Sequence, residues 1–307
     1  MARAPGLMDA SGAPFPSVSV VVPTRGRPAE VRQCVEALAR QDYCASSLQI
    51  VVVDDGGPEP DLAGFRTGPE LTVIRQHNQG PAAARNRGAR EAGGEILAFT
   101  DDDCRPRPDW LTCLVPALSA EPEAMVGGMT VNGLTGNVWA QASQDLVSFL
   151  YEAFATSRSL RAFITTNNLA VRRDRFLEIG GFDDGFPLPA AEDRDLSERW
   201  ADEVGRLRLV PDAVVDHFHR LDARSFIRQH YGYGRGAVQL ARRRRARGHG
   251  VPAPEPPTFY FRMIAYPLRR SPGFRGLVAA GLVAGSQICG LTGMAREAVR
   301  LLTPAAR

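Results

Sequence analysis

Apolar runs alternate with helical segments in the first third of the chain. The runs rich in valine, leucine and isoleucine cover residues 18–22, 48–53, 71–74 and 96–99. Between them, residues 29–40 have apolar side chains at helical spacing, and Pro81 is well placed in the first turn of a helix that runs to Ala92. This alternation predicts an α/β fold with a parallel-type sheet. Because no GxGxxG follows the first strand, the usual dinucleotide-binding fold is not expected.

Strands and helices continue beyond this first third. We predict strands over residues 124–131, 167–172 and 207–215, and helices over residues 139–154 and 173–179. Gly127 and Gly128 lie inside the first of these strands, where glycine often marks a close approach of another backbone.

The composition is that of a globular protein. The 307 residues suffice for one large or two ordinary domains, and 44% hydrophobic with 23% charged residues excludes disorder of the whole chain. The net charge is only +3, but every basic residue is an arginine. Nine arginines and a single acid, Asp222, lie within residues 220–247. Such a cluster favours phosphates or an anionic membrane surface as partners.

The cysteines and the N-terminal residues indicate a reducing compartment. The five cysteines form no CxxC pair, and their odd number leaves at least one unpaired in any intramolecular disulfide scheme. Residues 1–16 lack the apolar segment of a secretory signal, and we interpret them as a flexible leader. The sequence therefore predicts a cytoplasmic location for the catalytic part.

Three consecutive carboxylates, Asp101, Asp102 and Asp103, follow the apolar run 96–99. In open α/β sheets, ligands bind outside the carboxyl ends of the strands, so these acids lie where a ligand is expected. Adjacent carboxylates repel one another, and a bound cation would relieve that repulsion; oxygen ligands suit Mg²⁺ or Mn²⁺ better than zinc. The alternative is a solvated acidic turn, since aspartate is a favoured turn residue.

Polar residues follow or begin other predicted elements. Asp54 and Asp55 follow the second strand, where an acid commonly accepts hydrogen bonds from a base or a ribose, although Asp-Gly is also an ordinary turn. Arg85 lies one turn into the helix that begins at Pro81, where it would face a phosphate; the alternative is a well-capped packing helix.

A second concentration of acids begins a later helix. Glu192 and Asp193 are in its first turn, a position that the helix dipole favours for acids in any protein. His217 lies just after the end of the predicted strand 207–215, as the three aspartates lie just after the apolar run 96–99.

Together these stretches resemble family 2 glycosyltransferases with the GT-A fold. The matching motifs are VVVPTR at 20–25, VVDDG at 52–56, ARNRG at 84–88, FTDDD at 99–103, NNLA at 167–170, GGFD at 180–183, ED at 192–193, and His217. The resemblance implies a Rossmann-like sheet of the nucleotide-diphospho-sugar transferase type, flanked by helices. Its nucleotide-sugar-binding half would cover residues 17–125, its acceptor-binding half 126–220, and a helical, basic and apolar C-terminal extension 221–307.

The resemblance also implies a role for each matching residue. For the donor, it implies that Pro23, Thr24 and Arg25 line the nucleoside pocket. Asp55 would accept a hydrogen bond from the base, with Asp54 beside it. The further donor-binding residues would be Arg85, Asp101, Asp102 and Asn168. Asp101 and Asp103 look like the family's DxD pair, with Asp101 towards the ribose and Asp103 on the metal. His217 resembles the histidine that completes metal and diphosphate binding, and Asp193, next to Glu192, matches the catalytic base. Because Asp102 is also acidic, the choice of metal-binding carboxylates stays open.

An uncharged stretch of 19 residues lies in the C-terminal extension, at 277–295, between arginines on both sides. Its length invites a membrane-spanning interpretation, and Gly281 with Gly285 forms a GxxxG motif. Ser286, Gln287 and Thr292 interrupt it, and we therefore favour a helix pair on the membrane surface, with arginines on anionic headgroups.

The expected activity is an inverting transfer from a nucleotide-diphospho sugar, expected to be a uridine nucleotide, to a hydroxyl of a glycan or lipid-linked acceptor of the cell envelope. Mg²⁺ or Mn²⁺ would be the cofactor, and no nucleic acid partner is expected. The protein would work at the inner face of the plasma membrane. Two alternatives stay open: a metal-dependent nucleotidyl- or phosphotransferase, and a non-catalytic sugar-nucleotide-binding protein.

Overall fold

The structure is a computed structural model that describes residues 16–62, 64–65, 68–156, 162–186, 190–251, 253–271 and 273–303. The leader predicted over residues 1–16 lies outside these ranges, apart from Pro16. The chain divides into two compact units. The sheet unit comprises residues 1–131, 163–184 and 193–218, and the helical unit comprises residues 132–162, 185–192 and 219–307.

Within the described residues, eight strands form one mixed sheet. In chain order they are β1 Val18–Thr24, β2 Leu48–Asp54, β3 Glu70–Arg75, β4 Ile96–Phe99, β5 Cys104–Pro106, β6 Met125–Asn132, β7 Leu169–Arg172 and β8 Leu207–His217. Across the sheet their order is β3-β2-β1-β4-β7-β6-β8-β5. The described helices are α1 Pro28–Leu38, α2 Pro81–Glu91, α3 Trp110–Ala120, α4 Val138–Thr156, α5 Arg173–Glu178, α6 Glu192–Glu203, α7 Ala223–Ala246, α8 Pro257–Arg270 and α9 Phe274–Leu302.

The predicted parallel pairing holds for one half of the sheet. β1 pairs in parallel with β2 and with β4, and β2 pairs in parallel with β3. The pairs β4–β7, β6–β7 and β5–β8 are antiparallel. The strand–helix alternation that predicts parallel pairing extends only as far as β4, and antiparallel neighbours need no crossover helix.

Both faces of the central strands are buried, as their continuous apolar composition predicts. Successive side chains of a strand point to opposite faces, so Val20 and Ile50 pack in one apolar cluster with Trp110 of α3. Val21 and Val51 pack in a second cluster on the other face. All of β1, β2 and β4 is buried apart from one partly exposed position in β2. The sheet is therefore a rigid base for the loops that leave its carboxyl edge.

Two of the recognised motifs hold each other in place. Asn86 of α2 donates its Nδ2 to the Phe182 carbonyl at 2.8 Å and accepts the Phe182 amide at Oδ1 at 2.9 Å. A Cβ at Gly181, whose φ is +67°, would lie 2.5 Å from Asn86 Oδ1. A Cβ at Gly88 would lie 2.4 Å from Val21 Cγ1, so α2 packs against β1 at a distance that only glycine allows.

The helical unit has its own apolar core. Phe149 of α4, Phe226 of α7, Tyr266 of α8, and Val283 of α9 belong to one buried cluster. The helices α7 and α9 approach at backbone distance, because a Cβ at Gly234 would lie 1.9 Å from the Gly290 carbonyl oxygen. The apolar stretch predicted over residues 277–295 is part of a longer helix, α9, which also includes the flanking arginines on both sides.

Two local predictions are wrong in ways that matter for the site. The strand predicted over residues 167–172 begins only at Leu169, because Thr166–Asn168 form a 3₁₀ turn that places both asparagine side chains inside the sheet unit. The strand predicted to end at residue 215 continues to His217, where it pairs with β5. The strand β5 has only three residues and has no counterpart among the predicted strands.

Candidate active site

Asp102 is the buried anchor of the aspartate triplet. The parallel pairing of β1 with β4 brings the ends of these strands to the same edge of the sheet. Asp102 is 1% exposed, and its Oδ2 accepts a hydrogen bond from Thr24 Oγ1 at 2.7 Å. Arg27 Nη2 lies 2.6 Å from the other carboxylate oxygen as an ion pair. Asp102 therefore fixes the loop after β1 against the end of β4.

Asp103 meets His217 through the pairing of two strands. In the antiparallel register of β5 and β8, Cys104 lies opposite His217, and the Phe218 amide donates to the Asp103 carbonyl at 2.8 Å. As a result, His217 Nε2 lies 3.2 Å from Asp103 Oδ1. Arg27 Nη1 donates to Asp103 Oδ2 at 2.8 Å. The two residues that the sequence assigns to the metal are thus brought together.

The charges at this edge shift two pKa values. Burial raises the pKa of Asp102 to about 7, aided by the charges of Asp103 and Asp101 and opposed by Arg27. Burial alone would lower the pKa of His217, but the hydrogen bond to Asp103 and the charges of Asp103 and Asp101 outweigh it and raise that pKa above its usual value. The edge of the sheet is therefore an electronegative site suited to a cation.

Asp101 lies beside Arg85, a contact that the sequence does not predict. Arg85 Nη2 donates to Asp101 Oδ1 at 2.7 Å, and its guanidinium lies 5.6 Å from the centre of the Phe182 ring. Burial raises the pKa of Asp193, against the lowering charges of Arg194 and Arg85. Arg85 is thus close enough to act electrostatically on both acids. Glu192, the neighbour of Asp193, is itself buried.

The two aspartates after β2 have different surroundings. Asp55 accepts hydrogen bonds at 2.8 Å from Gln76 Nε2, from the Gln79 amide and from the Gly80 amide, so it holds the loop before α2. Asp54 is 1% exposed, and its oxygens accept no hydrogen bond from the described residues; Arg75 Nε lies 3.4 Å away. Asp54 therefore has the greater unused capacity to accept a hydrogen bond.

The remaining donor residues differ in exposure. Pro23 is buried inside β1, where it pairs with Val53, and Arg25 is exposed in the following loop. Asn168 is 0% exposed, and its amide is used inside the protein. Its Oδ1 accepts from Trp110 Nε1 at 2.8 Å, and its Nδ2 donates to the Met129 and Ala213 carbonyls at 3.0 and 2.9 Å. The structure gives Asn168 a packing role, and its predicted donor contact stays a prediction.

Arg27 has no role among those that the family resemblance implies, although two arginines beside a threonine at the end of the first strand would suit a nucleotide. It lies next to the recognised VVVPTR motif, and only its contacts with Asp102 and Asp103 show that it belongs to the site. The signal in the sequence is weak, because an arginine in a loop after a strand is common on protein surfaces.

The side chains at the β5–β8 end fit a divalent cation. Asp103, Cys104 and His217 each present a potential ligand atom, and these atoms lie within 4.8 Å of one another. Burial and the neighbouring acids raise the pKa of the Cys104 thiol well above its usual value, so it stays protonated and is a poor ligand. The carboxylate and the imidazole are the suitable pair, and their oxygen and nitrogen donors suit Mn²⁺ and, through the carboxylate, Mg²⁺.

The mixed sheet with flanking helices is that of the GT-A glycosyltransferases. A mannosyltransferase from Pyrobaculum calidifontis, solved in complex with GDP-Man and Mn²⁺, matches 98% of this chain and 85% of its own with a TM-score of 0.60 at 20% identity. GalNAc-T7, solved with UDP, GalNAc and Mn²⁺, matches 76% of this chain and 55% of its own with a TM-score of 0.54 at 18% identity.

Residues 19–180 match the family model of glycosyl transferase family 2, and the chain belongs to that family. It is 31% identical over 241 residues to the pre-mycofactocin glycosyltransferase of Mycobacterium tuberculosis, which covers 76% of this chain and 49% of the relative. It is 30% identical over 238 residues to the glycosyltransferase AglE of Haloferax volcanii, with 74% of each chain covered. The chain thus spans about half the length of the mycobacterial relative.

Proposed function

We propose that this glycosyltransferase moves a sugar, with inversion, from a nucleotide-diphospho sugar to a hydroxyl of a glycan or lipid-linked acceptor. The observation that supports this most is the contact of Asp103 with His217 at 3.2 Å, on the same sheet edge as the Asp101–Arg85 ion pair. A nucleotidyltransferase built on the same acids would leave the partly exposed Asp193 without a role.

Asp103 and His217 would hold Mg²⁺ or Mn²⁺. When bound, such an ion neutralises charge on the departing nucleoside diphosphate. Arg27, paired with Asp103, and Arg85, paired with Asp101, bring two guanidinium groups to the aspartate triplet, and either can form charge-assisted hydrogen bonds to a phosphate. Solved proteins of this fold in complex with GDP-Man or UDP and with Mn²⁺ support a nucleotide-sugar donor.

Asp193 would act as the general base. Its carboxylate would take the proton from the acceptor hydroxyl while that oxygen attacks the anomeric carbon, and the bond from this carbon to the diphosphate oxygen breaks on the opposite side. The raised pKa of Asp193 makes its ionised form a stronger base than an exposed aspartate. Attack on the side opposite the leaving group inverts the configuration.

Calorimetric titration with UDP, GDP and dTDP, each with and without Mn²⁺, tests the donor site. We expect one nucleotide to bind only with Mn²⁺, and uridine is the expected base. In Asp103→Ala, this Mn²⁺-dependent binding should weaken by at least about tenfold, because a charged metal ligand is lost. Asp42→Ala, which removes an exposed aspartate of the same unit, is the matched control and should bind as the wild type does. No binding of any nucleotide to the folded wild-type protein would rule out the proposed donor.

We also propose that the helical unit lies on the inner face of the plasma membrane. Among the described residues, α9 is the one helix long and apolar enough to cross a membrane, by length and composition. Its exposed face carries Phe274, Leu277, Ile288, Leu291 and Leu302, at spacings that keep them on one side of the helix. Large exposed apolar patches of this kind mark interaction sites.

The charges around this apolar face favour a lipid surface as its partner. Phe261 of α8 is 74% exposed, and Arg262 and Arg269 on the same helix are exposed with it. Arg275 and Arg296 are exposed near the two ends of α9. Arginines beside exposed apolar side chains suit the headgroups and the acyl boundary of an anionic bilayer.

Vesicle flotation tests this contact. The protein should float with vesicles that contain phosphatidylglycerol and much less with pure phosphatidylcholine. Phe274→Ser combined with Leu277→Ser should abolish flotation, whereas Val73→Ser, at an exposed apolar position of the sheet unit, should not change it. If the wild type does not float but light scattering shows a dimer that the double variant disrupts, the apolar face binds a second copy and the membrane contact is rejected.

A further inference from the structure

An open cavity of about 420 Å³ lies within the helical unit, and none of its described lining residues is assigned to catalysis. Its described lining residues are Gly185, Gln239, Arg242, Arg243, Ala246 and Arg300. Three of these six are arginines and none is acidic. Arg242 and Arg243 come from α7, and Arg300 comes from the end of α9. Separate helices therefore bring positive charge to one concave surface.

Fixed contacts position the arginine on the α7 side. The guanidinium carbon of Arg243 lies 3.9 Å from the centre of the Phe186 ring, and its Nη1 lies 3.4 Å from Gln239 Oε1. The side chain is thus held in place before any ligand binds, which lowers the entropic cost of binding.

A buried carboxylate positions the arginine on the α9 side. Arg300 donates to Glu297 Oε1 from Nε at 3.0 Å and from Nη2 at 2.5 Å, and Arg235 Nε donates to Glu297 Oε2 at 2.8 Å. The hydrogen bond from Arg300, with those from Arg235 and Gln239, lowers the pKa of Glu297 to about 2, so this acid stays ionised. One carboxylate is shared by two arginines, and it cannot neutralise the cavity as well.

We propose that this cavity binds the phosphate or diphosphate group of a ligand. Planar guanidinium groups recognise phosphate oxygens through paired hydrogen bonds, which Arg242 and Arg243 would supply. Arg300, whose Nε and Nη2 are held by Glu297, would add positive charge on the α9 side. The alternative is a solvated basic helix face, but such a face does not require arginines from two helices or the support of Phe186. The phosphate would come either from a soluble compound or from a lipid headgroup, since Leu302 of the apolar face lies two residues after Arg300.

The test is calorimetric titration with pyrophosphate in EDTA, so that no divalent cation supports binding at the donor site. The double variant Arg242→Gln with Arg243→Gln should bind pyrophosphate at least about tenfold more weakly than the wild type, because charge-assisted hydrogen bonds are lost. The matched control, Arg228→Gln with Arg245→Gln, removes the same charge from exposed positions of the same helix outside the cavity. It should bind as the wild type does.

Vesicle flotation of the same variants distinguishes a lipid headgroup from a soluble compound as the source of the phosphate. If a lipid supplies the phosphate, flotation with vesicles containing phosphatidic acid should be weakened by the cavity variant more than by the control. If a soluble compound supplies it, only the pyrophosphate titration should distinguish the variants. Equal losses in the two double variants, or no binding of either probe to the wild type, would overturn the proposal. The single variant Arg242→Glu, at an exposed position, repeats the test without disturbing Arg243.

Nucleotide titration with Mn²⁺ on the same variants separates this site from the donor site. The cavity variants should keep the wild-type nucleotide affinity, and Asp103→Ala should keep its pyrophosphate affinity in EDTA. The cavity proposal can therefore fail while the donor site stands, and the reverse also holds.

Discussion

Replacing Asp193 by asparagine is expected to lower turnover by about 10²–10⁴-fold, the usual contribution of general base catalysis. Asparagine keeps the size of the side chain but cannot accept the proton of the acceptor hydroxyl. Because Asp193 lies opposite the leaving group in the proposed mechanism, the affinity for the nucleotide in the presence of Mn²⁺ should stay at the wild-type value. Steady-state kinetics and calorimetry on the same preparation measure the two quantities.

The pH dependence of turnover gives an independent test of Asp193. Only the ionised carboxylate accepts a proton, so turnover should rise with pH through the pKa of Asp193, which burial places above the usual range of an aspartate. The residual activity of Asp193→Asn should lack this rise. Asp202→Asn, an exposed position on the same helix α6, is the matched control and should keep both rate and pH profile. Wild-type turnover in Asp193→Asn would exclude this residue as the base.

Replacing Asn168 by alanine is expected to lower the free energy of unfolding by about 3–9 kcal/mol, since three buried hydrogen bonds are lost and each unsatisfied partner costs about 1–3 kcal/mol. The partners left behind are Trp110 Nε1 and the carbonyls of Met129 and Ala213. Denaturant unfolding measures the loss. The folded fraction of the variant should bind nucleotide as tightly as the wild type does.

Asn167→Ala is the comparison for this prediction. Asn167 is also buried, and its Oδ1 accepts a hydrogen bond from Thr130 Oγ1 at 3.2 Å. This bond is longer than each of the three that the side chain of Asn168 makes. Its loss should therefore cost less than that of Asn168. If Asn168→Ala instead unfolds like the wild type but loses nucleotide binding, the donor contact implied by the motif is correct and the packing role is wrong.

The sequence predicts those parts of the site that short, local patterns determine. The apolar run 96–99 identifies β4 because four consecutive buried residues leave little choice of structure, and the three acids after it then must lie at the sheet edge. The family resemblance then implies which of these acids would bind the donor and which the metal. Arg85 is found among the site residues because the pattern defines helix α2 well, although its ion pair with Asp101 is not predicted.

The parts that the sequence does not predict depend on pairing between distant segments. His217 reaches Asp103 only because Cys104–Pro106 forms a strand beside β8, and three residues containing a proline give no recognisable strand pattern. Arg27 is missed for a similar reason, since its role depends on side-chain contacts across two loops. Local periodicity has no information about either contact.

The close contact between Asn86 and Gly181 restricts which residues can occupy these two positions within the family. Any side chain at Gly181 would collide with the amide of Asn86, and any change of Asn86 would release both backbone groups of Phe182. Neither position can vary freely while the other is kept. In a comparison of many family sequences, the two positions should covary, and substitutions at one should occur in the background of a compensating change at the other.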